Sequence, residues 1–161
     1  LVCVAFLHRA QKYVYKDSDS FMINEIITSP GAPEPVGAYP HARRIGNFLY
    51  LSGVGPRQPN SEAIPGVELN ADGTIATYDI EVQTRSVLDN VLSVLNAAGL
   101  GYEHLADITV FLTNMKDDFA TYNKIYAEIL SAYKPCRTTV EVGALPTPIG
   151  IELKCIAVFP D

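Results

Sequence analysis

From Pro135 to Val158 the chain reads as two alternating runs, separated by a link too rich in turn formers to continue either. In the first run Val140 and Val142 alternate with Thr139 and Glu141. In the second, Ile151, Leu153 and Cys155 alternate with Glu152, Lys154 and Ile156. A period of two marks a strand with one face buried. The link from Gly143 to Gly150 carries Pro146 and Pro148 between its two glycines, so a tight connection joining two paired strands is expected. Pro135 ends any preceding helix. Arg137 then falls at the mouth of the first strand and Glu152 near the start of the second. On adjacent strands these two side chains are expected to face one pocket. A guanidinium fork matches a carboxylate ligand with two parallel hydrogen bonds, and a carboxylate beside it can take a proton from water. The same spacing also fits an ion pair on a sheet surface, so residue types alone leave both readings open.

Upstream, the two structural periods alternate. Ile23 to Thr28 reads as a short edge strand. Pro30 to Pro35 is extended linker, because each proline fixes φ and removes a donor. Within Arg43 to Ser52, the run Phe48-Leu49-Tyr50-Leu51 is a second strand after the turn Gly46-Asn47. Gly53 and Gly55 then let backbone N–H groups approach a ligand, or else mark a bulge. Val67 to Leu69 and Thr74 to Ala76 flank Asn70-Ala71-Asp72-Gly73, a hairpin turn with Gly73 at positive φ. Ile80, Val87, Leu88, Val91, Val94, Leu95 and Ala98 share one face of a 3.6-residue period. Thr77 or Asp79 is placed to cap that helix and Gly99 to end it. Ile108 to Leu112 is a buried strand. Asp117 or Asp118 is placed to cap a second helix, whose inner stripe is Phe119, Tyr122, Tyr126, Ile129, Leu130 and Tyr133. The expected fold is α+β: a mixed sheet with two helices packed on one face.

The 161 residues suffice for one domain with a sizeable core, and 48% hydrophobic against 19% charged residues fits a compact protein. Residues 1–21 stand apart: a short apolar run is followed by the polar, loop-like stretch Lys16 to Ser20. They are expected to be an N-terminal extension, of upstream or vector origin, with a docked segment as the alternative. The domain is expected to span 22–161, with Met22 as its natural start. The net charge of −6 argues against a nucleic-acid partner. Cys3, Cys136 and Cys155 lack metal-ligand spacing, which points to reduced thiols and a cytoplasmic location. No apolar run approaches the ~20 residues that span a bilayer, so no membrane association is expected.

Glycine-rich phosphate loops, paired zinc-binding histidines and a serine nucleophile elbow are all missing from the sequence. What is left is acid–base chemistry on a small polar molecule, with neither metal nor cofactor expected.

Several pieces in order carry a family resemblance. Pro135-x-Arg137-Thr138-x-Val140-x-Val142, then Leu145-Pro146, then Ile151-Glu152-x-x-x-Ala157-Val158 resembles the C-terminal signature of the reactive-intermediate deaminases, the YjgF or Rid family. Ala32-Pro33-x-x-x-Gly37-Ala38-Tyr39 is similar to its Ala-Pro-x-x-x-Gly-Pro-Tyr, and Leu51-Ser52-Gly53 to its strand-ending Ser-Gly. Gln83-Thr84-Arg85 with Leu88-Asp89-Asn90 resembles its first helix, and Asp118 to Asn123 the start of its second. The likeness runs from about Ile27 to Val158.

That resemblance implies hydrolysis of 2-imino or enamine acids to 2-oxo acids and ammonia, in a homotrimer with sites in the clefts between subunits. Arg137 would hold the substrate carboxylate and Glu152 would position and deprotonate water. Tyr39 would wall the pocket, and Asn123 and the backbone at Gly53 would line it. An endoribonuclease or translation-inhibitor role, attached to some members, is the alternative activity, and a non-catalytic ligand-binding trimer a third reading. Gly37-Ala38-Tyr39-Pro40-His41 with Arg43-Arg44, Pro56-Arg57-x-Pro59, and Asp79-Ile80-x-x-Gln83-Thr84-Arg85 look more like the 2-aminomuconate deaminase branch. Its substrate has a carboxylate at each end, which assigns Arg57 as the clamp for the distal one. Against these stand plainer roles: packing for Tyr39, helix surface for Asn123, surface charge for Arg43, Arg44 and Arg57. Cys136 beside Arg137 also invites a thiolate reading.

Overall fold

The computed structural model describes residues 15–17 and 20–160 of the chain. Two short strands, β1 (Tyr15–Asp17) and β2 (Ser20–Met22), pair antiparallel as a sheet of their own. Part of the stretch expected as loop is thus paired strand, while residues 1–14, 18 and 19 of the expected extension lie outside the described residues.

The main body is a six-stranded sheet built from β3 (Asn24–Ile27), β4 (Ala42–Ile45), β5 (Phe48–Leu51), β8 (Leu105–Leu112), β9 (Cys136–Glu141) and β10 (Ile151–Val158). Its order is β3-β4-β5-β10-β8-β9. A small hairpin, β6 (Val67–Leu69) with β7 (Ile75–Tyr78), stands beside it, turned at Gly73 with φ +82°. Two helices, α1 (Ile80–Ala97) and α2 (Met115–Leu130), cover one face of the sheet. Alternation along the strands sets the layers. On β10 Ile151, Leu153, Cys155 and Ala157 are buried under the helices, while Glu152, Lys154, Ile156 and Val158 point to the other face. Leu49 and Leu51 of β5, and Ile108, Val110 and Leu112 of β8, join the same core against Val87, Leu88, Val91 and Leu95 of α1. The mixed sheet with two helices on one face is as the residue periods required.

Asp79 caps α1, its carboxylate accepting from the N–H groups of Glu81 (2.8 Å) and Val82 (3.2 Å). Gly99, at φ +76°, follows the C-terminal cap, where the left-handed region is nearly free for glycine alone. Arg85 ties the two helices together by bridging Glu81 and Glu128, each at 3.0 Å.

The strand Phe48–Leu51 and its Gly46 turn (φ +58°) stand as expected, with a further strand, β4, paired to β5 across that turn. Two expectations need correction. The cap of α2 is Asn114, whose side chain accepts from Asp117 N–H at 3.2 Å, with Glu141 accepting from Met115 N–H at 2.7 Å. Phe119 and Tyr133 are exposed, so the inner stripe of α2 is Tyr122, Ile125, Tyr126 and Leu130, with Ile129 partly buried against the same core.

The largest correction concerns the last two strands. β9 and β10 are not neighbours: β9 runs parallel to β8 at the sheet edge, and β10 lies antiparallel between β8 and β5. The connection from Val142 to Gly150 crosses over β8 instead of closing a hairpin. Among the described residues no helix is long and apolar enough to cross a membrane.

Candidate functional site

Register places the two residues expected to share a pocket. Arg137 is opposite Ile108, a core residue of β8, so it stands on the helix face. Glu152 is opposite Phe111 on the uncovered face. They are two strands apart and three residues out of step, which puts their Cα atoms ~14 Å apart and their side chains on opposite faces. Within one chain they form neither a pocket nor an ion pair.

Arg137 sits at the edge, where β9 meets α2. Its Nη1 donates to Asn123 Oδ1 at 2.9 Å. The guanidinium lies over the Tyr126 ring, 4.6 Å from the centroid, and 5.7 Å from that of Tyr122. Cation–π contact and one hydrogen bond hold the fork in place while leaving its other donors unspent. Asn123 thus orients Arg137 through its amide oxygen. The buried hydroxyls of Tyr122, Tyr126 and Thr139 lie beside it and, among the described residues, lack a well-aligned hydrogen-bond partner. Burial pushes the Tyr122 phenol up to about 12, against the opposing pull of the Arg137 charge, so this hydroxyl stays neutral. Cys136 is exposed on the preceding position and is not among the residues that line the Glu152 cleft.

Glu152 opens into a cleft of about 350 Å³ on the uncovered face, within the size range of small-ligand sites. Tyr39, Ser52, Gly53, Arg57 and Lys154 line it with Glu152. Burial holds the Glu152 carboxyl above the usual carboxylate range. That shift suits a group which must take up a proton and release it again. Gly53 makes room for it: a Cβ there would lie 2.5 Å from Glu152 Oε1 and 3.0 Å from Cδ. Just after it, Val54 forms a two-way backbone bridge with Leu153, at 2.8 and 2.9 Å, which holds the glycine over the carboxylate.

Tyr39 reaches the cleft from a strapped loop. His41 accepts from Ser29 N–H at Nδ1 (3.3 Å) and meets Pro33 O at Nε2 (3.1 Å). With Nδ1 accepting, Nε2 is the donor to Pro33 O. Ser52 Oγ donates to Pro40 O at 2.6 Å. At Gly37 an added Cβ would come within 2.9 Å of the Tyr39 ring. Arg57 joins the cleft from a loop tied to α1, where Asn90 Nδ2 donates to Gly55 O (2.8 Å) and Arg57 O (2.7 Å). One arm of its guanidinium, Nη2, donates to Glu34 O at 2.6 Å.

The start of β10 is clamped from below. Buried Gln83 accepts from Gly150 N–H at 2.7 Å. Gly150 fits against Tyr78, whose ring would lie 2.5 Å from any Cβ at that position. Tyr78 in turn donates to the buried carboxylate of Asp118, whose proton affinity burial raises. Of the residues singled out from sequence, then, Tyr39, Gly53, Arg57 and Glu152 converge. Arg137 and Asn123 converge elsewhere. Arg43 donates to Asn24 Oδ1 at 2.8 Å and Arg44 stacks on Phe159 at 3.7 Å, so neither reaches the cleft. Lys154, His41 and Gln83 were assigned no role from sequence. Only Lys154 carried a legible signal, since it shares Glu152's parity on one strand.

Comparison with known proteins agrees with the fold. The sequence model described as Endoribonuclease L-PSP matches residues 29–159. A RutC family protein of Pyrococcus horikoshii is 38% identical over 135 residues, covering 84% of this chain and 98% of its own. Reactive Intermediate Deaminase A, chloroplastic, of Arabidopsis thaliana is 34% identical, over 87% of this chain and 68% of its own. Among solved structures, E. coli TdcF with bound serine superposes with a TM-score of 0.72 at 31% identity, covering 84% of this chain and 98% of that one. A match over most of the chain, carried by these same strands and loops, means that the protein belongs to the Endoribonuclease L-PSP family, the YjgF or Rid proteins.

Proposed function

We propose that the protein is a hydrolytic deaminase of 2-imino or enamine acids, working in clefts between copies of the chain. The observation that carries this is Glu152: a carboxyl of raised proton affinity, lodged over Gly53 at the floor of a ligand-sized cleft. A relative at 34% identity is named a reactive intermediate deaminase, and TdcF holds serine, a small amino acid.

The chemistry asks little of the protein. An iminium carbon is already electrophilic, so orientation and an activated water suffice. Glu152 accepts a proton from water as the oxygen bonds to that carbon. The carbinolamine then takes the proton from Glu152 onto nitrogen. The C–N bond then breaks with its electron pair while Glu152, ionised again, takes the carbinol hydroxyl proton, so that ammonia leaves and the C=O of the 2-oxo acid forms. Arg137 holds the substrate's carboxylate with its unspent donors, and Tyr39 walls the cleft.

Arg137 and Glu152 of one chain face away from each other, so this division of labour needs Arg137 of one copy beside Glu152 of the next. The uncovered face offers the contact surface. Phe48 and Tyr50 are 47% and 38% exposed there, and Ile156, Val158 and Val140 lie alongside. A homotrimer supplies such clefts with closed symmetry. The finer reading is a dicarboxylate substrate, 2-aminomuconate, whose far carboxylate would meet a cation of the cleft. Free Cys136, exposed, suits a reducing compartment such as the cytoplasm.

The test is ammonia release from 2-imino acids generated in situ by an amino-acid oxidase, run in parallel with RNA cleavage at physiological salt. Faster ammonia release with no RNA cleavage is expected. RNA cleavage without ammonia release would replace the deaminase with the nuclease.

A further inference from the structure

We propose that Lys154 sets the substrate class of the Glu152 cleft, by taking a carboxylate at the far end of the substrate. The inference rests on the cleft being the substrate site, and it assigns the distal anion to a residue other than Arg57.

Lys154 follows Glu152 by two positions on β10, on the same uncovered face and in the lining of the same cleft. Two residues of strand place their Cα atoms ~7 Å apart. The lysine stem adds several ångströms of reach. A carbon chain of five or six atoms can therefore lay its reacting carbon at Glu152 and its far end at the ammonium. Lys154 is exposed and, among the described residues, makes no ion pair or hydrogen bond that would spend its charge. Its directly paired β8 neighbour is the uncharged Thr109, and Asp107, one same-face position further along β8, makes no ion pair with it. Arg57 also lines the cleft, yet one arm is already engaged with Glu34 O and its own carbonyl is fixed by Asn90. Its role is the better matched to closing the loop over the cleft.

The net charge of −6 makes a local cation matter. A dianion approaching this protein meets an opposing field, and Glu152 adds to it once ionised. Lys154 is the cation placed to offset both. A monocarboxylate of equal length has nothing for Lys154 to hold, so the residue would discriminate by charge at the far end.

The experiment measures binding by calorimetry, for 2-oxoadipate and for 2-oxohexanoate, on wild type, Lys154→Met, Lys154→Arg and Arg57→Ala. Wild type is expected to prefer the dicarboxylate. Lys154→Met should weaken 2-oxoadipate about tenfold to a hundredfold, the range of a lost charged hydrogen bond, while 2-oxohexanoate changes less than about twofold. Lys154→Arg should restore most of the loss. Equal effects on both ligands, no preference in wild type, or a selective loss found in Arg57→Ala and not in Lys154→Met would each overturn the assignment. Ammonia release is read separately. If wild type binds selectively through Lys154 but releases no ammonia, the deaminase reading fails and this one stands.

Discussion

Arg137 and Glu152 lie on opposite faces of one sheet, with β8 between their strands. Each is held for chemistry: Arg137 by Asn123 and the ring of Tyr126, Glu152 by the space that Gly53 leaves. A reaction that uses both must draw them from different copies.

Mixing two inactive variants checks this. Arg137→Ala and Glu152→Gln, unfolded together and refolded in equal amounts, should recover activity that neither has alone. If each cleft takes one residue from each of two copies, random assortment of a symmetric oligomer leaves about one cleft in four intact. Light scattering on the wild type should give a trimer. A monomer at micromolar concentration, or no recovery on mixing, would contradict shared clefts.

Arg137→Lys should fold normally and lose about tenfold to a hundredfold in kcat/KM, since lysine keeps the charge without the fork. Asn123→Ala should lose less, about threefold to tenfold, because it removes one hydrogen bond that orients Arg137. The two effects should fail to add in the double variant. Full additivity would separate Asn123 from Arg137.

Gly53→Ala places a Cβ 2.5 Å from Glu152 Oε1. Gly53 is exposed, and its backbone is not in the left-handed region. The fold should therefore persist, with a melting temperature within a few degrees of wild type. Catalysis should fall by about tenfold or more as the carboxylate is pushed aside. A fully active Gly53→Ala would remove Glu152 from the role of base.

The pH dependence follows from the direction of the Glu152 shift. Burial disfavours the charged form, so the folded protein binds this proton more tightly than the unfolded chain. The contribution to stability is fully present below the unfolded-state value and is lost as pH rises through the higher folded value. Asp118, raised mainly by burial, acts in the same direction. Glu152→Gln should therefore gain stability over wild type at pH 7 and gain nothing at pH 3, as read by thermal melts. In the active enzyme kcat/KM should rise with pH, with its inflection above the ~4.3 of a free glutamate. A profile flat from pH 4 to 8 would show that no buried carboxylate acts as the base.

How much was legible beforehand can be judged residue by residue. Period-two and 3.6-residue patterns determine which side chains of β10 and α1 are buried, because burial acts on each residue's own side of the backbone. The Asn70 to Gly73 turn and the Gly99 stop were equally local, each decided by which residue tolerates positive φ. Pairing was not local. Val142 to Gly150 looks like a hairpin link, yet β8, some thirty residues upstream of it, inserts between the strands it joins. Hydrogen bonding satisfies β9 equally well against β8 or β10, so the choice falls to packing of the whole helix layer. The same holds for the α2 cap: Asn114, Asp117 and Asp118 are all competent by residue type, and Asp118 is drawn inward by Tyr78. Residue identity thus determined what Arg137 and Glu152 can do. Only the tertiary structure decided that they do it on opposite faces, because the pairing of β9 with β8, three residues out of step with Glu152, is a register that no local alternation specifies.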